Sequence, residues 1–167
     1  MSADLPNHPD IQFHLIVAAG LKPDEEGLIE RSHGALRLRS FANRMRIKGL
    51  RAAPRSIGGL TGHELVESIS EDNNITVHSF WWEVNGTAHD VAHPHVVLKM
   101  MTGSGAQGSV PPSVSEGTAI ALWDRVVPTF RLLAKEPHLS AGPRSGAVTG
   151  APRPKMQIGA QPGPVAQ

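Results

Sequence analysis

The densest cluster of chemically competent side chains is His89-Asp-Val-Ala-His-Pro-His95. Imidazole nitrogens and the Asp90 carboxylate are the donors that a zinc ion takes. The spacing fits no zinc motif, and the chain has no cysteine. Pro94 works against a helix that would put His89 and His93 on one face. The sharp reading is a metal-dependent hydrolase using His89, His93 and His95; the plainer one is a polar loop.

Other motifs thin out on inspection. His63-Glu64-Leu-Val-Glu67 begins like a zincin helix, but Glu67 stands where the second histidine belongs and the local pattern is a strand. Gly103-Ser-Gly-Ala-Gln-Gly108 spells G-x-G-x-x-G, yet Pro111 and Pro112 precede any helix, so the dinucleotide-binding context is missing. A flexible loop is expected there. His78 reads as a half-buried, hydrogen-bonded histidine. No nucleophile, base and orienting group stand together in sequence, and no cofactor is implied. A basic run over 31–55, from Arg31 through Arg37, Arg39, Arg44, Arg46, Lys48 and Arg51 to Arg55, would suit nucleic acid or an anionic surface. Stacking aromatics are nearly absent and the acids at 24–30 offset the charge, which favours a solvated face with arginine stems over apolar surface.

Composition sets the bounds. At 167 residues one domain is expected, and a net charge of +1 provides no global field toward nucleic acid or lipid. No run approaches the roughly 18 apolar residues of a membrane span. The first ten residues lack the basic and apolar regions of a secretory signal, so the chain is either a cytosolic product or a fragment whose signal lies upstream.

The elements that must carry these groups follow from periodicity. Phe80, Trp82 and Val84 alternate along 75–84, as do Val96, Leu98 and Met100 along 95–101, and Ile11, Phe13, Leu15 and Val17 near the start. Period two marks strands with one buried face. Asn85-Gly86 opens a long loop between the second and third strands of a meander that begins at His63–Ile69. A helix is expected over about 24–32, where Asp24, Glu25 and Glu26 suit a first turn. Leu38, Phe41 and Met45 fit helical spacing, while Leu36 and Leu38 also permit a strand. Ser113-Val-Ser-Glu116 fits a capping box, and Ala119, Leu122, Trp123, Val126, Val127 and Phe130 mark one face of the helix behind it. Pro128 should kink or split that helix. The chain then divides into a loose arm (1–10), a folded domain (11–135) and a disordered tail (136–167), the last holding six Pro and five Gly. The architecture expected is α+β: an antiparallel sheet of about four strands with helices packed on one face.

In order and spacing these features resemble a known family. Gly59-Leu-Thr-Gly-His-Glu64, Phe80-Trp-Trp-Glu83 with Gly86, His93-Pro-His-Val-Val-Leu98, Thr102-Gly103, Ser113 and Leu122-Trp-Asp124 are similar to the motifs of the C-terminal domain of type VI secretion lipase-immunity proteins. The likeness covers about residues 10–135. His63 replaces a common acid, Pro128 interrupts the last helix, and a Pro/Gly tail is added.

The resemblance implies a non-enzymatic immunity protein that binds and neutralises a cognate phospholipase effector by protein–protein contact. It implies a periplasmic location, while the charge balance and the short apolar runs lead us to expect no nucleic acid partner and no membrane insertion. An oligomeric state is not implied. A rigid sheet presenting loops suits such a task, and Trp81, Asn85, His89, Asp90 and His93 are the expected contact residues. Trp81 points away from Trp82, so it needs either a helix packed on that face or a partner.

Overall fold

A computed structural model of the chain describes residues 2–131. The elements run β1 (Ser2–Leu5), β2 (His8–Ala18), α1 (Leu28–Leu38), α2 (Phe41–Met45), β3 (Ile47–Ile57), β4 (Leu60–Ser70), β5 (Thr76–Val84), β6 (His95–Met101), β7 (Ser104–Gly105), β8 (Gly108–Ser109) and α3 (Glu116–Val126). Six strands form one sheet in the order β1-β2-β6-β5-β4-β3, every pairing antiparallel.

The α+β class and the antiparallel meander hold. The sheet gains two strands over the four expected, each for a physical reason. β3 hides because three of its inward positions carry Arg51, Ala53 and Arg55, leaving Ile57 as the one large apolar residue that reaches the core from that row. It also contains Pro54, which an edge strand tolerates because a missing N–H there costs no ladder bond. β1 lies in the expected loose arm and is only four residues long. The expected tail, 136–167, lies outside the described residues.

Register places one face of the sheet in the main core. Trp82 stands between Glu64 on β4 and Leu98 on β6, and Phe80 between Val66 and Met100. With Ile11, Val96, Ala119, Trp123 and Val127 they form the buried cluster. The α3 helix covers this face: Trp123 tilts against Phe80 with ring centroids 5.6 Å apart, and Phe130 meets Trp82 at 6.2 Å. Ser115, two residues beyond the expected cap, closes the N-terminus by accepting from Thr118 N–H at 3.3 Å. Pro128 ends the α-helix as expected, converting Val127–Thr129 to a 3-10 turn.

The other helix lies across the sheet rather than beside α3. Arg31 of α1 reaches Glu83 at 2.6 Å, and Glu83 points to the face opposite Trp82. The helix begins at Leu28, four residues later than the acids suggested, with Gly27 as N-cap. The Glu30 carboxylate accepts from Gly27 N–H at 2.6 Å, so that acid serves the cap while Asp24–Glu26 stay in a loop.

A half-buried ionic network centred on the buried Glu64 sits on the α3 face. Glu64 is fully buried, yet its carboxylate meets Arg51 at 3.0 Å, Arg55, and Trp123 Nε1 at 2.6 Å. Asp124 takes Arg51 in bidentate fashion at 2.8 and 3.1 Å and Arg55 at 3.0 Å. The apparent zincin pair is therefore dismantled: His63 is exposed on one face and Glu64 is locked into the other. Part of the basic run is likewise internal, with Arg51 and Arg55 neutralising carboxylates.

Two smaller features fix the ends of the core. The expected flexible loop at 103–108 contains the short β7–β8 hairpin, with Val110 N–H donating to Gly103 at 2.9 Å. Asp10 accepts from the backbone N–H groups of Gly103 at 3.1 Å and Ser113 at 3.0 Å. Burial opposes its ionisation, but the hydrogen bonds from Ser113 and Gly103 prevail and hold its pKa below the ordinary 3.8. A depressed carboxylate stabilises the fold above its unfolded pKa and loses that contribution as pH falls through the folded value. Urea midpoints measured between pH 6 and pH 3, below about 4 in particular, should therefore fall, and Asp10→Asn should flatten the fall. His78 is hydrogen-bonded as expected, with Nδ1 3.0 Å from Thr102 Oγ1, but it is buried rather than half-buried.

Gly62 lies hard against the neighbouring strand, since a Cβ there would overlap the carbonyl of Glu83. Gly62→Ala should part β4 from β5 and cost about 1–3 kcal/mol, read as a lowered urea midpoint.

Candidate partner-binding surface

Two loops meet at one end of the sheet, where β2 finishes and β6 begins. The 85–94 loop is tied to itself and to its neighbour. Thr87 N–H donates to His93 O at 2.9 Å, and Asp90 N–H to Thr87 O at 3.2 Å. Asp90 takes Ala92 N–H at 2.8 Å and faces His93 Nδ1 at 2.7 Å. The His93 contact is the main reason the exposed Asp90 carboxyl titrates below its ordinary value. His89, at φ 60°, donates its N–H to Gly20 O at 3.3 Å. Asn85 Nδ2 donates to Asp24 O at 3.3 Å.

That neighbour is the 19–27 loop, and Arg31 binds it to the sheet. The guanidinium meets Asp24 at 2.8 Å, Glu26 O at 2.8 Å and Glu83 at 2.6 Å. An acidic loop and a histidine loop are thus held together, with Leu21 and Val91 exposed. A cleft of about 150 Å³ lies below them, lined by Gly27, Leu28, Thr61, Gly62, His63, Glu83, Val84 and Asn85. Gly86 makes the turn into the loop at φ 73°. A Cβ there would sit 2.5 Å from His95 N, so only glycine fits.

Of the residues singled out from sequence, the structure brings Asn85, His89, Asp90 and His93 into this one loop. Trp81 stands apart. It lies half-buried within the sheet on the α1 face, paired across β6 with Lys99, whose ammonium sits 3.4 Å from the ring centroid. Such a cation–π contact gives the second tryptophan its covering layer. Burial lowers the Lys99 pKa, with Glu83 opposing. His89, His93 and His95 do not assemble as ligands: among the described residues no group of three His, Cys, Asp or Glu side chains is placed to hold a metal. The alternative hydrolase built on them has no geometric support. Sequence reading missed the 19–27 loop, because its acids looked like a helix start. The signal that could have found it is Gly27, a poor helix former placed just behind three acids.

Comparison with known proteins gives a consistent result. The Tle cognate immunity protein 4 C-terminal domain matches residues 1–134. Immunity protein TplEi of T6SS from Pseudomonas aeruginosa, solved in complex with an "L" peptide, is 25% identical with a TM-score of 0.62, covering 78% of this chain and 45% of that one. Its apo structure is 26% identical, TM-score 0.60, covering 76% and 41%. The structure of a Tle4–Tli4 complex contributes a chain 26% identical, TM-score 0.61, covering 78% and 43%. This chain therefore spans less than half the length of those relatives. A search of curated proteins gives no match. With its sheet, its motifs and its match over 1–134 in agreement, the chain belongs to the Tle cognate immunity protein 4 C-terminal domain family.

Proposed function

We propose that this chain is a non-enzymatic immunity protein that binds a type VI secretion lipase effector and neutralises it by protein contact in the periplasm. The observation that carries the reading is the family match over residues 1–134, joined by the likeness to a chain from a Tle4–Tli4 complex. The geometry suits the task. Loops stapled by internal hydrogen bonds lose little conformational entropy on binding, which favours affinity. The paired 19–27 and 85–94 loops are the contact surface in this reading, with Asn85, His89, Asp90 and His93 providing polar contacts, Leu21 and Val91 apolar ones, and Trp81 support from beneath. Acids at Asp24, Glu25, Glu26 and Asp90 would select a partner surface of opposite charge.

The test is capture and rescue. The lipase effector encoded in the same genome is directed to the periplasm of a host, with this chain supplied there or in the cytoplasm. Survival with the periplasmic form and co-purification of the two proteins is the expected result. No binding to any lipase of that genome would sink the reading. Leu21→Asp with Val91→Asp is expected to weaken capture by at least about tenfold, as loss of apolar interface anchors does, while the urea midpoint stays unchanged.

A further inference from the structure

We propose that the corner joining α1 to α2 is a peripheral docking surface for an anionic lipid bilayer. Leu38 closes α1, Phe41 opens α2 and Met45 closes it, and these residues are 91%, 69% and 73% exposed. The α2 helix buries none of its residues. Three large apolar side chains projecting within eight residues of sequence point to a second apolar phase.

Charge identifies that phase. From Arg31 to His63 the sequence contains no Asp or Glu. Four of the cations in that span are engaged with acids elsewhere: Arg31 with Glu83, Arg46 with Asp72, and Arg51 and Arg55 with Glu64. Arg37, Arg44 and Lys48 remain exposed around the corner, and Arg39, also exposed, faces the Glu67 carboxylate. The Arg44 guanidinium lies 5.9 Å over the Phe41 ring. Apolar tips amid long cationic side chains match an interface where tips enter the acyl boundary and charged heads meet phosphates. A cationic rim disfavours a basic protein face, and a leucine 91% exposed on a helix corner suits a deformable layer better than a preformed groove. The contact is a seat on the membrane surface; no helix among the described residues is long and apolar enough to cross one. It uses different residues from the 19–27 and 85–94 loops and stands independently of the effector reading.

The test is co-sedimentation of the full chain with vesicles, one set of phosphatidylglycerol mixed with phosphatidylcholine and the other of phosphatidylcholine alone. Binding to the first set only, weakening as salt is raised, is expected. Each interfacial arginine contributes roughly fivefold, so Arg37→Gln with Arg44→Gln should weaken binding about 25-fold. Leu38→Ser with Phe41→Ser and Met45→Ser should abolish it with the circular dichroism spectrum unchanged. Failure of the wild-type chain to sediment with phosphatidylglycerol, or binding indifferent to the apolar substitutions, overturns the proposal. So does a result in which the serine variant loses effector capture while the wild-type chain ignores vesicles, since the corner would then be a protein contact. Vesicle binding without effector capture would leave this proposal standing and remove the effector reading instead.

Discussion

Replacing Glu64 with alanine is expected to lower the unfolding free energy by about 3–5 kcal/mol. The carboxylate is desolvated and meets Arg51, Arg55 and the Trp123 indole N–H at once. Removing it leaves two guanidiniums facing each other across a void, with Asp124 as their remaining partner. Their mutual repulsion and the orphaned indole N–H both destabilise the folded state. Glu64→Gln keeps the volume and one acceptor, and should cost less. Chemical denaturation of the three proteins orders them, and equal midpoints for wild type and Glu64→Ala would show that the network contributes nothing.

Trp123→Ala is expected to cost about as much, roughly 3–5 kcal/mol. Its ring is fully buried against Phe80, so truncation removes that contact and opens a cavity in the core. The two substitutions touch the same hydrogen bond, so they should not add. The double variant should fall short of the sum of the singles by about 1 kcal/mol, the worth of the shared bond. Strict additivity in that cycle would place Glu64 and Trp123 in separate contacts.

Much of the fold was legible because its central strands obey period two. Phe80, Trp82, Val96, Leu98 and Met100 all face the core, and the low aromatic content made their pattern easy to see. The edge strand β3 was illegible because it puts arginines inward, and pattern reading treats an inward arginine as solvent-exposed. The partners that make it tolerable, Glu64 and Asp124, lie nine to 73 residues away. The same distance rule governs the candidate partner surface. Asn85, His89, Asp90 and His93 could be picked as one loop from local sequence. Their pairing with Asp24 and Gly20 depends on the sheet order, which local patterns do not encode. The assignment of α1 to the opposite face from α3 was hidden for the same reason.

The position of β3 at the sheet margin has one more consequence. An open strand edge is a template on which another chain can add, the route by which β proteins polymerise. Here Pro54 removes a donor from the middle of that edge, and the register shift between Gly49 and Arg51 bends it. The opposite margin, β1, is four residues long. Neither margin offers an incoming strand a continuous ladder. Recruitment by strand addition is closed to partner and aggregate alike, so the sheet can reach high concentration without its margins seeding fibres.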